Sequence, residues 1–267
     1  MEESLRNIEA LSSLAKRGIF ERIDAGLRSL ALLERSRRVR QVMYLAIRGI
    51  EVEPIPSCLE ERAILVSNYP SVSQSLRAVI KVGCRLSGER PRLKAIARPE
   101  IVTRANFLLK VLGVGGFVFP VHKDQAGVYR LETKIIKEVL SYLDGPRNVL
   151  WLSITGRTRG NGLLEGDLRT GAALMSIKKE VPLVPMGIVT REDRGNVKVV
   201  KVRFGEPIHA PPAEKMGDFE KADLLIDLSK LAMCQIGELL PPGQRGDFEN
   251  AEEKLEEAKR RLGQSPR

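Results

Sequence analysis

The sequence predicts an α/β protein with a mixed, mostly parallel sheet flanked by helices and an N-terminal helical element. Three observations lead to this fold class. Short apolar runs alternate with helical stretches from about residue 50 onward, and the helical stretches between them carry one apolar face. Of the 267 residues, 43% are hydrophobic, which is enough to bury a sizeable core.

Six short runs have the composition of buried strands, being rich in β-branched and other apolar residues. They are residues 63–67, 92–97, 117–121, 148–154, 182–190 and 197–205. Between them, one helical face is predicted from Val72, Leu76, Val79, Ile80 and Gly83, and another from Val128, Leu131, Ile135, Val139 and Leu143. Alternation of strands and helices is typical of a parallel sheet covered by helices.

The two ends of the chain differ from this pattern. Residues 1–48 have apolar positions every three or four residues and end in a basic cluster, Arg35 to Arg40. This helical element either packs on the main domain or attaches to an anionic membrane surface. Residues 49–248 are expected to form the α/β domain, whose last helix, near residues 219–240, stops at a Pro-Gly stretch. Residues 249–267 are expected to form a charged tail, an exposed helix that frays.

Charge and composition limit the partners. The net charge of +10 favours an anionic partner. Only 4% of residues are aromatic and no nucleic-acid-binding motif is found, so a specific nucleic-acid partner is disfavoured against a membrane surface or a phosphorylated ligand.

No apolar run approaches the roughly 18 residues of a membrane span, and the N-terminus is polar, so we expect a cytoplasmic protein peripheral to the inner membrane face. Its three distant cysteines predict neither disulfides nor a metal site.

The first candidate site residue is Asn68, which follows the apolar run at 63–67. A helix is predicted directly after it, with Ser71 or Ser73 available as the N-cap. Junctions of this kind lie at the carboxyl edge of an open α/β sheet, where ligands bind.

The stretch NYPSVSQ, residues 68–74, resembles the first motif of the PlsC-like phospholipid/glycerol acyltransferases, the glycerol-3-phosphate and lysophosphatidic acid acyltransferases. That motif reads approximately N-H-x-x-x-x-D. Asn68 matches it, whereas Tyr69 stands where the family has His and Gln74 where it has Asp.

Three further blocks resemble the family's later motifs in the same order. The second covers residues 113–123, with Lys123 or His122 at its basic position. The third covers residues 149–162, in which Gly156 is kept and Arg157 and Arg159 supply positive charge, and the fourth is the V-P-L-V-P-M-G-I run at residues 181–188. By this resemblance Asn68, Lys123, Gly156, Arg157 and Arg159 are expected to bind the substrate phosphate. Ordinary surface charge is the alternative for the basic residues.

The resemblance implies the glycerol-3-phosphate acyltransferase fold and a role in phospholipid biosynthesis. The activity would be acyl transfer from acyl-CoA or acyl-carrier protein to a lysophospholipid or glycerol-phosphate-type acceptor, with no other cofactor. In the family the His is the general base and the Asp orients it. A tyrosine with a pKa of ~10 is ionised in roughly one molecule in a thousand at pH 7, and Gln74 carries no charge. Loss of a positioned base typically removes about 10²- to 10⁴-fold of rate.

Two functions therefore remain open from the sequence: altered acyl transfer, or non-catalytic binding of acyl chains or anionic phospholipid. The chain has two histidines that could replace the missing base. His122 lies in the second block with Asp124 two residues on, and it is the better placed candidate. His209 is followed five residues later by Glu214, but two prolines between them predict a loop.

Overall fold

The computed structural model describes residues 47–86, 92–97, 118–123, 129–155, 163–164, 166, 168–193, 196–214 and 216–262. The predictions for residues 1–46, and those for Gly156, Arg157 and Arg159, lie outside these residues. For Lys123 only the backbone is described.

The described residues form nine strands. They are β1 (Glu51–Val52), β2 (Ala63–Ser67), β3 (Arg92–Ala97), β4 (Val118–Pro120), β5 (His122–Lys123), β6 (Tyr129–Arg130), β7 (Asn148–Ser153), β8 (Leu183–Asp193) and β9 (Asn196–Phe204). Seven of them make one sheet in the order β1-β9-β8-β2-β7-β3-β4, and β5 and β6 pair separately. Every pair in the large sheet is parallel except the β8–β9 hairpin. The predicted mixed, mostly parallel sheet is confirmed.

Helices cover both faces of the sheet. The described residues contain α1 (Val72–Leu86), α2 (Thr133–Leu143), α3 (Gly171–Lys179), α4 (Asp218–Leu239) and α5 (Ala251–Arg261). Helix α1 and residues 47–59 cover one face, and the other four helices cover the opposite face. Alternate residues of each central strand point to the two faces, so that Leu65 joins the cluster under α1 and Ile64 the cluster under the other helices. These strands are buried on both sides, which is why their sequences are continuously apolar.

The predicted apolar face of α1 is correct except at its first position. Val79 and Gly83 are buried, and Leu76 and Ile80 pack against the same apolar cluster. Val72, in contrast, is 45% exposed, and Ala78 and Val82 are buried in addition.

The charged C-terminal segment forms the expected helix, α5, but this helix is not exposed all round. Ala251, Leu255 and Ala258 are at most 6% exposed and join the main apolar cluster. Their spacing is that of one helical stripe, which the many charged neighbours obscured in the sequence. Helices α4 and α5 approach closely because Gly237 faces Ala251, where a Cβ would be only 3.0 Å from the alanine side chain.

Candidate functional site

The sequence blocks fall on strands that end at one edge of the sheet. Strand β2 leads into Asn68, β7 into Thr155, and β4 into His122 and Lys123, while the fourth block forms β8. Strands β7, β2 and β8 are immediate neighbours, with Ser67 opposite both Ser153 and Met186. Because these strands are parallel, the first block, the end of β7 and the last residues of the fourth block, Met186 to Ile188, meet at the carboxyl edge, where open α/β sheets bind ligands.

Asn68 is fixed by two hydrogen bonds to a single residue of β8. Its Oδ1 accepts from the Ile188 N–H at 2.7 Å, and its Nδ2 donates to the Ile188 carbonyl at 3.0 Å. The residue is 2% exposed. Strand β2 pairs with β8 only as far as Ser67 and Met186, so the Asn68 carboxamide takes the place of the next strand residue. In this structure Asn68 therefore holds the loop after β2 onto β8.

A second carboxamide continues the same pattern. The Gln244 side chain accepts a hydrogen bond from the Thr190 N–H at 3.1 Å and donates to the Thr190 carbonyl. Thr190 lies two residues beyond Ile188, where β8 has left β2 behind and runs on to Asp193. We call residues 188–193 and 196–200 the hairpin arm, since they form the part of the β8–β9 hairpin that extends past β2. The sequence analysis missed Gln244, because no local signal in Pro-Pro-Gly-Gln identifies a partner 54 residues away.

Gln74 also binds the hairpin arm. Its Nε2 donates to the Val197 carbonyl at 3.0 Å, while its backbone N–H donates to the Ser71 hydroxyl at 3.3 Å. The second bond confirms Ser71 as a cap at the start of α1. An ionised aspartate has no proton to donate to a carbonyl. The glutamine at this position thus makes a contact that the aspartate of the resembled motif would lose.

Tyr69 lies between Asn68 and Gln74 in the sequence. It is half-buried and packs against the apolar cluster on the α1 face of the sheet. Next to it, the Ser67 hydroxyl accepts from the Trp151 indole at 2.9 Å and donates to the Asn68 carbonyl at 2.8 Å. At the end of β2, two consecutive hydrogen bonds through the buried Ser67 hydroxyl therefore link Trp151, the only tryptophan of the protein, to the first block.

The two histidines lie away from Asn68. His122 follows β4, three strands from β2, and strand spacing puts these strands roughly 14 Å apart. Its side chain is 49% exposed, with Nε2 3.8 Å from a Glu132 carboxylate oxygen. A general base must come within about 3 Å of the proton it removes, so a hydroxyl served by His122 would lie away from Asn68. His209 follows Ile208, which pairs with Leu183 at the opposite, amino edge of the sheet.

The C-terminal segment 241–248 connects the two sides of this edge. On one side Gln244 binds Thr190, as described. On the other, the Asp247 N–H donates to the Leu164 carbonyl at 3.1 Å, and the Asp247 carboxylate accepts from the Gly166 N–H at 2.8 Å. Gly246 has φ of +53° and faces Leu164 so closely that a Cβ would collide with its carbonyl. The segment is therefore held on both sides, by the Gln244 side chain at Thr190 and by the N–H and carboxylate of Asp247 at Leu164 and Gly166.

The described part of the site offers a phenol, hydroxyls and amides. Across the described ranges, no cluster of His, Cys, Asp and Glu is suitable for a metal ion. In the same part of the chain, no helix is long and apolar enough to cross a membrane. A phenol, hydroxyls and amides can bind and orient a polar ligand. Of the side chains named above around Asn68, only that of Tyr69, as its phenolate, would serve as a base.

Comparison with known proteins identifies a structural likeness but no match by sequence. No protein-family model matches the chain, and no curated protein matches it significantly. Among solved structures, the crystal structure of the 1-acyl-sn-glycerophosphate (LPA) acyltransferase PlsC from Thermotoga maritima is similar, with a TM-score of 0.44 and 17% sequence identity. The alignment covers 78% of this chain and 79% of that chain.

Proposed function

We propose that this protein is an acyltransferase-like protein that transfers an acyl group from acyl-CoA or acyl-carrier protein to a lysophospholipid or glycerol-phosphate-type acceptor. The observation that carries the proposal is the strand order. Blocks one, three and four of the resembled motif set are separated in sequence, yet they belong to the adjacent strands β2, β7 and β8 and approach one edge of the sheet. A chance resemblance would not require the three strands to be neighbours.

In this proposal the acceptor phosphate is bound by Lys123, Gly156, Arg157 and Arg159. Asn68 acts as a positioning residue, since both ends of its amide are engaged by Ile188. The net charge of +10 attracts the phosphorylated lipid and an anionic membrane surface, where the protein would be peripheral, on the cytoplasmic face.

The alternative is a non-catalytic relative that binds acyl chains or anionic phospholipid. The contact of Gln74 with Val197 favours this alternative, because it gives residue 74 a structural task in place of orienting a base. Tyr69 then serves as a packed wall of the site rather than as a proton acceptor. Both functions share the same ligand chemistry, and turnover distinguishes them.

Acyl transfer to lysophosphatidic acid from acyl-CoA tests the proposal. If the Tyr69 phenolate is the base, the wild-type rate rises with pH toward the tyrosine pKa of ~10, and Tyr69→Phe abolishes it. Tyr69→Phe is the variant chosen for this test because it removes only the hydroxyl and keeps the aromatic ring.

A second arm of the experiment restores the family's pair with Tyr69→His and with Tyr69→His/Gln74→Asp. If wild type shows no turnover above background and the histidine variants exceed that background by about 10²-fold or more, the site is intact but lacks a base, which supports the non-catalytic alternative. The single variant is needed because Gln74→Asp also removes the bond to Val197. Absence of turnover in every variant, together with no preference for vesicles containing phosphatidic acid over phosphatidylcholine, would reject both functions.

A further inference from the structure

We propose that the outer side of α1 is the surface by which the protein docks on an anionic membrane. Its charged residues are Arg77, Lys81 and Arg85, which we call the basic face. The inference rests on the proposed function and deepens it, because it names the side of the protein that meets the bilayer when the acceptor is a membrane lipid.

The residues of the basic face form a row along α1. They follow one another at intervals of four residues, and residues four apart lie on the same side of a helix in neighbouring turns. At roughly 1.5 Å per residue, the row is about 12 Å long. Arg77 and Arg85 are exposed and Lys81 is half-buried, while Val79 and Val82 pack toward the sheet on the other side of α1.

Within the described part of the chain, no carboxylate neutralises this row. Helix α1 contains neither Asp nor Glu. None of the three basic side chains forms an ion pair with a described residue. Arg85 donates from Nη1 to the Val52 carbonyl at 2.9 Å, a contact that leaves its positive charge without a counter-charge. The charge of the row is therefore available to an external partner.

The acidic residues described on the same face of the sheet do not oppose the row near the site. Glu51 and Glu53 both form ion pairs with Lys201. Glu60 and Glu61 come just before β2 and so lie toward the amino edge of the sheet, whereas α1 begins at the carboxyl edge. The part of α1 nearest the candidate site is thus positive.

The helices on the opposite face of the sheet do not fit an anionic surface equally well. Among the described helices, α1 alone has three basic residues and no acidic one. Phe219 on α4 is 90% exposed, but Asp218 and Glu220 flank it and Asp223 follows one turn later. An anionic membrane would repel these carboxylates, so Phe219 does not mark the membrane side.

An anionic bilayer matches the row because it presents a broad surface of negative charge. Each Lys or Arg held close to such a surface strengthens binding by roughly fivefold. Helix α1 starts directly after the first block, so docking through its basic face holds the carboxyl edge of the sheet near the bilayer. A lysophospholipid acceptor resides there, and this need favours a membrane over a soluble acidic carrier protein as the partner of the row.

The test is sedimentation with phosphatidylcholine vesicles that contain or lack phosphatidylglycerol. Phosphatidylglycerol is anionic but is neither acceptor nor product in the proposed function, so binding at the candidate site does not contribute. Wild type should prefer the anionic vesicles. Arg77→Gln/Lys81→Gln should weaken binding to them by about 30-fold, since each of the two lost charges contributes roughly fivefold. Arg85 is left in place because it also binds Val52.

The matched control is Lys134→Gln/Lys137→Gln. Both lysines are exposed on α2, which covers the opposite face of the sheet, and their replacement lowers the net charge by the same amount. These positions lie farther from the docked bilayer than the Debye length of about 8 Å at physiological salt, so the control should weaken binding by less than about threefold.

The possible results separate the docking surface from the proposed function. Equal weakening by the two double variants, or wild-type binding by Arg77→Gln/Lys81→Gln, would overturn the docking role of the basic face. The inference also fails if wild type shows no preference for the anionic vesicles, whereas acyl transfer to lysophosphatidic acid below its micelle concentration still tests the proposed function.

Two further measurements keep the result unambiguous. If Arg77→Gln/Lys81→Gln loses binding to acyl-carrier protein but keeps binding to vesicles, the basic face is a carrier-protein surface and membrane docking is wrong. If this double variant does not fold, as judged by Trp151 fluorescence, Arg77→Gln alone replaces it. Arg77 is exposed, and its replacement should weaken vesicle binding by roughly fivefold.

Discussion

Replacing Asn68 tests the view that its amide stands in for a strand residue. Asn68→Ala removes both hydrogen bonds to Ile188. The backbone N–H and carbonyl of Ile188 then lose these partners in a buried region, since Asn68 is only 2% exposed. Each unpaired buried group costs about 1–3 kcal/mol, so with two such groups the free energy of unfolding should fall by about 2–6 kcal/mol. Urea unfolding followed by the fluorescence of Trp151 measures this loss, because the indole binds Ser67 next to the substituted position.

An isosteric variant separates the hydrogen bonds from the volume of the side chain. In Asn68→Asp the carboxylate accepts from the Ile188 N–H but faces the Ile188 carbonyl without a proton to donate. Folding then raises the pKa of the new carboxyl. The contribution of this carboxyl to stability is fully present below its pKa in the unfolded chain, ~3.9, and is lost as pH rises through its pKa in the folded protein.

The Asp variant should therefore approach wild-type stability as pH falls toward 4, whereas the Ala variant should keep a constant deficit. Asn250→Ala, at an exposed asparagine without a side-chain capping bond, should change stability by less than about 0.5 kcal/mol. A deficit below about 1 kcal/mol in Asn68→Ala, or parallel pH profiles for the two Asn68 variants, would refute the reasoning.

Three other predictions concern the packing around the site and the edge of the sheet. Gly246→Ala should destabilise the protein by about 2 kcal/mol or more in thermal unfolding, since the left-handed backbone and the Leu164 carbonyl leave no room for a Cβ, while Gly243→Ala, with open space around it, should be nearly neutral. Burial raises the pKa of the Cys234 thiol to about 11, so stability should be lost as pH rises from about 9 to 11, and urea unfolding of Cys234→Ala should lack this part of the loss. Burial opposes ionisation of Glu53, but ion pairs with Lys201 and Arg203 outweigh it and hold its pKa below the usual range. The stability advantage of wild type over Glu53→Gln should therefore be present above pH ~4.5 and disappear as pH falls through the folded pKa, and an advantage that persisted at pH 2 would contradict the ion-pair assignment.

Much of the sheet could be predicted because its strands are buried on both faces. Strands β2 and β3 begin and end at the predicted residues, and β8 differs mainly by extending to Asp193. That extension could not be predicted, since Arg191, Glu192 and Asp193 are exposed and have no apolar pattern. The two-residue strands β1, β5 and β6 were missed for a similar reason, because two residues are too few to show alternation.

The candidate site shows the limit of sequence reasoning more sharply. Asn68 was identified from its place after a strand, but its partner Ile188 lies 120 residues away and could not be inferred. Gln74 looked like a lost catalytic residue, whereas the structure shows a donor to Val197, 123 residues distant. When a side chain binds a backbone group, the sequence of the partner residue carries no signal of the contact. The role of a side-chain amide can therefore be recognised only once the register of the paired strands is known.

The position of β2 in the sheet has a consequence for how the chain is made. Its neighbours β7 and β8 are synthesised much later, as the 84-residue separation of Ser67 from Trp151 illustrates. An apolar strand that leaves the ribosome long before its partner strands stays unpaired until they are synthesised, and contacts between residues so far apart in sequence slow folding. We therefore expect nascent chains that end before β8 to bind chaperones, and folding to complete only once the C-terminal half has emerged.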